Sequence, residues 1–295
     1  MNQAMQVFLG SMFGDGSLYP YKGGRIGYTE MHSLKQKDYL IWKMKIMSKR
    51  FNFANSPYIF NKYDKRTKKI YPSIKIDSSE WRKLKKYYQI FYKDGRKVIP
   101  IRLLYKLNKL GLAIWYQDDG YYGYGKYTSV FSTDAFNYKE VLIIMKFFKN
   151  KFGIESRLVR KGDAYNFEFD RDNTEKFLKL IRDYIHPIMT YKLGHLDKNN
   201  KSRIIRAKKV ISKNKHLYYL NNKEKIINYQ KKYRKENKEK ISVRSRLYNI
   251  KNKDKIKERR RRYYNLNREM ILKRNRIYRL ENKNTINERR RLKNG

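Results

Sequence analysis

The chain has no cysteine among its 295 residues, which excludes disulfide frameworks, thiolate nucleophiles and cysteine-bearing zinc fingers. Histidine is nearly as scarce. His32, His186, His195 and His216 lie scattered along the sequence, which speaks against a histidine-rich nuclease centre. Long apolar runs are missing as well: the longest, Val141 to Phe148, is interrupted by Lys146, too short for a bilayer span, and no membrane partner is expected. Acidic residues are few, 27 against 73 Lys and Arg, for a net charge of +46. Such self-repulsion is offset by a polyanion, and nucleic acid is the default one. An apolar helix-like segment begins within a few residues of Met1, which leaves no room for a signal or transit peptide, so work in the compartment of synthesis is expected. Richness in Lys, Asn, Ile and Tyr fits an AT-rich phage, organelle or low-GC gene.

Charge divides the chain near residue 200. The first 200 residues carry net +19 and have apolar segments varied enough for a core, whereas the last 95 hold 35 basic and 8 acidic residues. That basic region repeats every 15 residues: Tyr218, Tyr233, Tyr248, Tyr263 and Tyr278 are each followed four later by Asn222, Asn237, Asn252, Asn267 and Asn282, and four later again by Ile226, Ile241, Ile256, Ile271 and Ile286. Each unit reads as an Asn N-cap, an acidic first turn and a basic body, giving short helices interrupted at Asn. A single helix would advance roughly four turns plus 60° per unit and wind its Tyr/Ile stripe around the rod. A solvated, partly disordered tail is the alternative. The Tyr/Ile pairs are expected to pack between units or against the nucleic-acid-bound tail.

Residues 1–200 read as two related halves, 1–98 and 99–200, followed by a third region, 201–295. Each half opens with an apolar helix ending in Asp-Gly (Val7 to Asp15; Leu110 to Asp119). Strands follow (Gly27 to Glu30; Thr128 to Ser132), then a helix (Tyr39 to Met47; Val141 to Phe148). More strands come next (Tyr58 to Phe60 and Ile70 to Ile76; Ser156 to Arg160 and Tyr165 to Phe169), and a last helix closes each half (Trp81 to Tyr92; Phe177 to Ile185). This is α+β with antiparallel sheets.

The chemistry lies in the two opening helices, Phe8-Leu9-Gly10-Ser11-Met12-Phe13-Gly14-Asp15-Gly16 and Leu112-Ala113-Ile114-Trp115-Tyr116-Gln117-Asp118-Asp119-Gly120. The closing glycines are expected to be left-handed caps. An ionised Asp at a helix C-terminus opposes the helix dipole, and a bound cation removes the conflict. Gly10 and Gly14 leave a bare stripe for a second helix. Side-by-side packing then sets Asp15 beside Asp119, and paired carboxylates suit divalent-metal-assisted phosphodiester hydrolysis.

With these motifs stand His32-Ser33-Leu34-Lys35-Gln36-Lys37-Asp38-Tyr39-Leu40, Lys97-Val98-Ile99-Pro100, Ser132-Thr133-Asp134-Ala135-Phe136 and Met189-Thr190-Tyr191-Lys192-Leu193. In order and spacing, residues 5–197 resemble the single-chain, two-motif LAGLIDADG homing endonucleases. Ser11, Phe13 and Gln117 depart from the usual motif residues, at positions that tolerate variation. The resemblance implies two αββαββα halves whose saddle-shaped sheets lie along the DNA major groove. It implies Mg2+ on Asp15 and Asp119, with Mn2+ substituting, and a lysine near each metal, Lys97 and Lys192. Asp118 aligns with a small residue and is expected at most behind the metal ligands, or as a helix-end cap.

The expected partner is double-stranded DNA with a long, asymmetric target, bound by a monomer, with the tail adding affinity without sequence preference. DNA contacts are drawn from Tyr19, Lys22, Arg25, Tyr28, Tyr122, Lys126 and Arg157, together with Tyr21, Tyr121, Tyr124 and Tyr127; adjacent strand residues cannot all face the DNA. An RNA maturase or a non-cutting DNA-binding protein on the same scaffold is the alternative.

Overall fold

The computed structural model describes residues 2–287 apart from Lys22, Ala54, Arg66, residues 79–81 and Ile286. It divides into two compact units, residues 1–214 and 215–295. The first unit opens with α1 (Gln3–Phe13), β1 (Ser17–Pro20), β2 (Ile26–Ser33), α2 (Lys37–Met47), β3 (Asn55–Asp64), β4 (Lys69–Asp77) and α3 (Arg82–Phe91). A hairpin of β5 (Tyr92–Lys93) and β6 (Arg96–Lys97) and a short α4 (Ile101–Leu104) lead into a second series in the same order. It comprises α5 (Lys109–Asp119), β7 (Gly120–Gly123), β8 (Thr128–Phe131), α6 (Tyr138–Phe152), β9 (Arg157–Lys161), β10 (Ala164–Phe169) and α7 (Arg171–Ile181). Each series is αββαββα. Their sheets share one topology, β1-β2-β4-β3 and β7-β8-β10-β9, and every pairing is antiparallel.

Local chemistry sets the helix boundaries. The Asn2 side chain accepts from Met5 N and the Asn108 side chain from Gly111 N, so both motif helices carry an N-cap. Asp170 does the same for Asn173 N, so α7 begins well before Phe177. Trp81, the expected start of the last helix of the first half, lies outside the described residues.

The motif helices are buried on nearly every side and pack against each other. A β-carbon on Gly10 would lie 2.5 Å from the Gly111 carbonyl oxygen and 2.6 Å from Ile114 Cβ, and one on Gly14 would lie 2.5 Å from Asp118 Cβ. The bare stripe therefore serves the close approach expected of it. The closing glycines do not serve as left-handed caps. Gly14 ends α1 at φ −103°, Gly120 leaves α5 at φ −82°, ψ 153°, and Gly16 is absent from the positive-φ positions. The chain runs directly from α5 into β7 and through a short turn from α1 to β1, and Gly16 is needed for space: a side chain there would strike Tyr28 Oη and the Ser11 backbone.

After 3-10 turns over residues 182–200 comes α8 (Lys201–Asn221), followed by α9 (Lys223–Glu236), α10 (Lys238–Lys251), α11 (Lys253–Leu266) and α12 (Arg268–Glu281). The helices break at Asn, as the repeat predicts, but Asn does not act as an N-cap. The side chains of Asn222, Asn237, Asn252 and Asn267 accept no bond from the following turn; instead, in all five copies, Nδ2 donates back to the carbonyl of the Tyr four residues earlier. The backbone at each joint Asn leaves helical angles, but its N–H still donates to the same Tyr carbonyl, so the side-chain amide meets that carbonyl as well. The five repeat tyrosines are 49–65% exposed, so none is buried between units. No helix among the described residues is long and apolar enough to cross a membrane.

Candidate metal and nucleic-acid site

Asp15 lies two residues beyond α1, and Asp119 is the last residue of α5. Burial raises the Asp119 carboxyl well above the ordinary Asp range, the charges of Asp15 and Asp118 raise it further, and Lys97 and Lys192 oppose them. Two lysines serve the two helix ends in parallel. Lys97 Nζ donates to the carbonyls of Gly14 and Gly16, at 3.0 and 2.9 Å, on either side of Asp15. Lys192 Nζ donates to the carbonyls of Gln117 and Asp118, the latter at 3.2 Å, immediately before Asp119. Each lysine thus sits at the negative end of a helix dipole and next to an acid. Burial lowers both lysines, Lys192 to about 8, against the pull of the neighbouring carboxylates.

Behind the acids lies a buried polar network. β2 directs Tyr28, Glu30 and His32 to the inner face of its sheet, and α2 supplies Tyr39 and Lys43. Lys43, with no exposed surface, bonds Glu30 and both carboxylate oxygens of Asp118, at 2.8 and 3.1 Å. Tyr39 Oη donates to Asp118 Oδ1 at 2.9 Å, and Tyr28 Oη to Glu30 Oε2 at 2.6 Å. Burial pushes Asp118 up to about 6, Lys43 pulls against it, and Glu30 and Asp15 add to the rise. For Glu30 burial also raises the pKa, but Lys43 and His32 outweigh it and hold the carboxyl ionised. His32 Nε2 lies 2.9 Å from Glu30 Oε1 and its Nδ1 3.7 Å from Asp15 Oδ2.

Asp15, His32 and Asp118 each offer one donor atom, all within 4.8 Å of one another, a set able to hold a metal ion. One histidine, His32, therefore joins the acidic centre, which is still not histidine-rich, and Asp118 lies in the same cluster. Asp118 is already bonded by Tyr39 and Lys43, so its first effect is to hold α2 against α5. Asp15 and Asp119 fit a divalent cation on electrostatic grounds, because burial and the neighbouring Asp15 and Asp118 disfavour the charged form of Asp119 and a bound cation would offset both.

Strand register sorts the expected DNA contacts. Tyr28 is 1% exposed and bonded to Glu30, and Tyr122 is 6% exposed with its hydroxyl 2.7 Å from His195 Nδ1; both face the interior and neither can reach DNA. Their strand neighbours turn outward: Tyr19 pairs with Gly27 on the outer face of the first sheet, and Tyr121 is exposed on the second. Arg25 and Lys126 are exposed in turns. Arg157 is exposed on the outer face of β9 but paired with Glu168. Tyr21 is exposed, Tyr124 and Tyr127 are half-buried, and Lys22 lies outside the described residues. Lys75 and Tyr58, cross-strand partners on the outer face of the first sheet, were not foreseen; alternation along β4 points to Lys75 once Ile74 and Ile76 are set inward.

The profile of the LAGLIDADG DNA endonuclease family matches residues 5–177. The chain belongs to that family. It is 29% identical over 208 residues to a RecA protein from Mycolicibacterium flavescens, covering 65% of this chain and 46% of that protein. It is 28% identical to the cytochrome b mRNA maturase bI2 of Debaryomyces hansenii, covering 65% of this chain and 74% of the relative. It is 31% identical to the intron-encoded endonuclease ai4 of Dictyostelium discoideum, covering 39% of this chain and 72% of the relative. The chain thus spans about half the RecA relative and about three quarters of the other two. Among solved structures, the homing endonuclease I-WcaI bound to its DNA recognition sequence shares the fold, at TM-score 0.58 and 20% identity, covering 64% of this chain and 85% of that one.

Proposed function

We propose that this chain is a single-chain, two-motif homing endonuclease that cuts both strands of a long, asymmetric DNA site. The observation that carries the reading is the paired arrangement at the motif helices: one acid and one helix-capping lysine on each, repeated across a close helix seam. Asp15 and Asp119 would hold Mg2+, with Mn2+ substituting. When bound, such an ion supplies a more acidic water and charge neutralisation at the scissile phosphate. Lys97 and Lys192 then offer positive charge next to each acid to stabilise charge building on phosphate oxygens. Asp118, Lys43 and Glu30 hold the helix ends in place, and His32 is within reach of Asp15 to orient a water. Because one chain supplies both motif copies, a monomer suffices. Tyr19, Arg25, Lys75, Tyr121, Lys126 and Arg157 form the surface from which phosphate and base contacts would come.

The maturase relatives support a second reading, RNA maturation on the same scaffold. Incubation of the protein with a randomised duplex library in Mg2+ and in Ca2+ separates the two. Selective double-strand cleavage in Mg2+ with binding alone in Ca2+ supports the endonuclease. No cleavage of any duplex, with accelerated splicing of an intron-containing transcript, replaces it with the maturase.

A further inference from the structure

The region from Lys215 onward has a geometry more specific than its charge. At Asn222, Asn237, Asn252, Asn267 and Asn282, φ lies between −123° and −110° and ψ between 15° and 24°. One bend is therefore made five times, at 15-residue intervals. Hydrogen bonding continues through each joint. The Asn backbone N donates to the Tyr carbonyl four residues before at 3.0–3.1 Å, and in the first four joints the Ile N four residues on donates to the Asn carbonyl at 2.9–3.0 Å. The Asn side chain adds a second bond to that Tyr carbonyl at 2.9–3.0 Å. Such a joint is a fixed angle rather than a swivel, and equal angles between equal units generate a regular superhelix.

The exposed chemistry follows the same period. The residue after each Asn is basic, Lys223, Lys238, Lys253, Arg268 and Lys283, and so is the ninth, Lys231, Arg246, Arg261 and Arg276, all exposed. Eight residues separate the two columns, which sets them within about a quarter turn of each other on one flank. Each 14-residue helix carries a net charge between +3 and +5. Tyr and Ile, by contrast, do not close a core of their own, since all five tyrosines remain exposed.

Length decides what such an array fits. Four helices of roughly 20 Å each would make a straight rod of about 80 Å, and a straight rod leaves a DNA groove within about one 34 Å turn. A rod bent at every unit can stay on one duplex. We propose that residues 215–282 form a phased array that curves along a single DNA duplex, each 15-residue unit setting the same basic flank against phosphates. Its grip is independent of base sequence, because nothing that varies between units is needed to make it. The choice of duplex DNA as occupant rests on the partner proposed above; the bend and its phasing do not.

The test measures affinity of the full chain for a duplex without a cleavage site, across a salt series, with helicity followed by circular dichroism. Three variants are compared with the parent: Asn237→Ala/Asn252→Ala/Asn267→Ala, which favours straight joints at unchanged charge; removal of residues 238–252, which keeps the period; and removal of residues 238–245, which breaks it. The expected results are a loss of about tenfold in affinity and a shallower salt slope for the triple variant, and a larger loss for the eight-residue deletion than for the fifteen, although it removes fewer charges. Losses that track charge count alone, or an unchanged triple variant, overturn the phased array. Tighter binding of single-stranded RNA than of duplex overturns the choice of occupant. If the triple variant loses helicity, the two deletions carry the comparison. Cleavage is scored separately, so an active enzyme without phasing sinks only this inference, and phasing without cleavage sinks only the endonuclease.

Discussion

Lys43 reaches across from α2 to bond both carboxylate oxygens of Asp118, on the second motif helix, with neither side chain exposed to solvent. A pair of this kind is costly to break from one side, because the remaining charge stays buried. Lys43→Met is expected to destabilise the protein by about 3–5 kcal/mol in urea unfolding, leaving Glu30 and Asp118 without their cation. Lys43→Met with Asp118→Asn should recover part of that loss. A single variant within ~0.5 kcal/mol of the parent would show that the network carries no stability.

Asp15→Asn and Asp119→Asn should each reduce double-strand cleavage by about a hundredfold or more while DNA binding in Ca2+ persists. Stability gives a second readout for Asp119. Its buried charge beside Asp15 and Asp118 is unfavourable without a cation, so Asp119→Asn should unfold no earlier than the parent in EDTA. Parental cutting by either variant removes that acid from the site.

Lys97→Met and Lys192→Met should slow the single-turnover cleavage rate far more than they weaken binding. Equal losses in both would make them backbone contacts. Lys192 also has a pH signature. Its folded pKa, lowered to about 8, lies below the unfolded value, so between ~8 and ~10.4 the unfolded chain holds a proton the folded chain has shed. Stability contributed by this site therefore rises with pH across that window. The difference between parent and Lys192→Met, followed by thermal melts from pH 7.5 to 10, should show that slope; a flat difference contradicts it.

Glu140 ties α6 of the second half to the segment that connects the two halves. It completes the capping box with Asn137, accepts from Ile99 N at 3.3 Å and binds Arg96 at 2.7 Å, next to Lys97. Burial raises its pKa but the bonds from Arg96, Asn137 and Ile99 lower it further. Its stabilisation is therefore full above the ordinary Glu value and fades as pH falls through the lower folded value. Glu140→Gln should cost about 1–2 kcal/mol at pH 7 and much less near pH 3, measured by urea titration at both.

Gly10→Val should be destabilising by about 1–3 kcal/mol or more, because its side chain would meet the Gly111 backbone across the helix seam. Gly95→Ala serves as a control for general handling of the protein: no atom lies within 4 Å of its added methyl group, and only the strain of a positive φ opposes it. A Gly10 variant no less stable than this control would mean that the seam can open.

The sequence by itself determined which segments become helix and strand, because periodicity and end signals are local. Asp15-Gly16, Asp119-Gly120 and the 15-residue joints were all legible in this way, whereas Lys97 and Lys192 were indicated only by the resemblance to the family. Lys43 also left a trace, as a charge in the apolar stripe of Tyr39, Leu40, Ile46 and Met47. What it bonds was not legible, since Glu30 and Asp118 approach it only when β2 and α5 pack against α2. Facing was likewise undecided: Tyr28 and Tyr122 differ from Tyr19 and Tyr121 only by strand register, and a shift of one residue exchanges inside for outside. The repeat Asn gave its position by period, but the direction of its side-chain bond depended on backbone angles at the joint. Tertiary structure decided these points because each depends on which buried group finds a partner, and partners distant in sequence meet only in the fold.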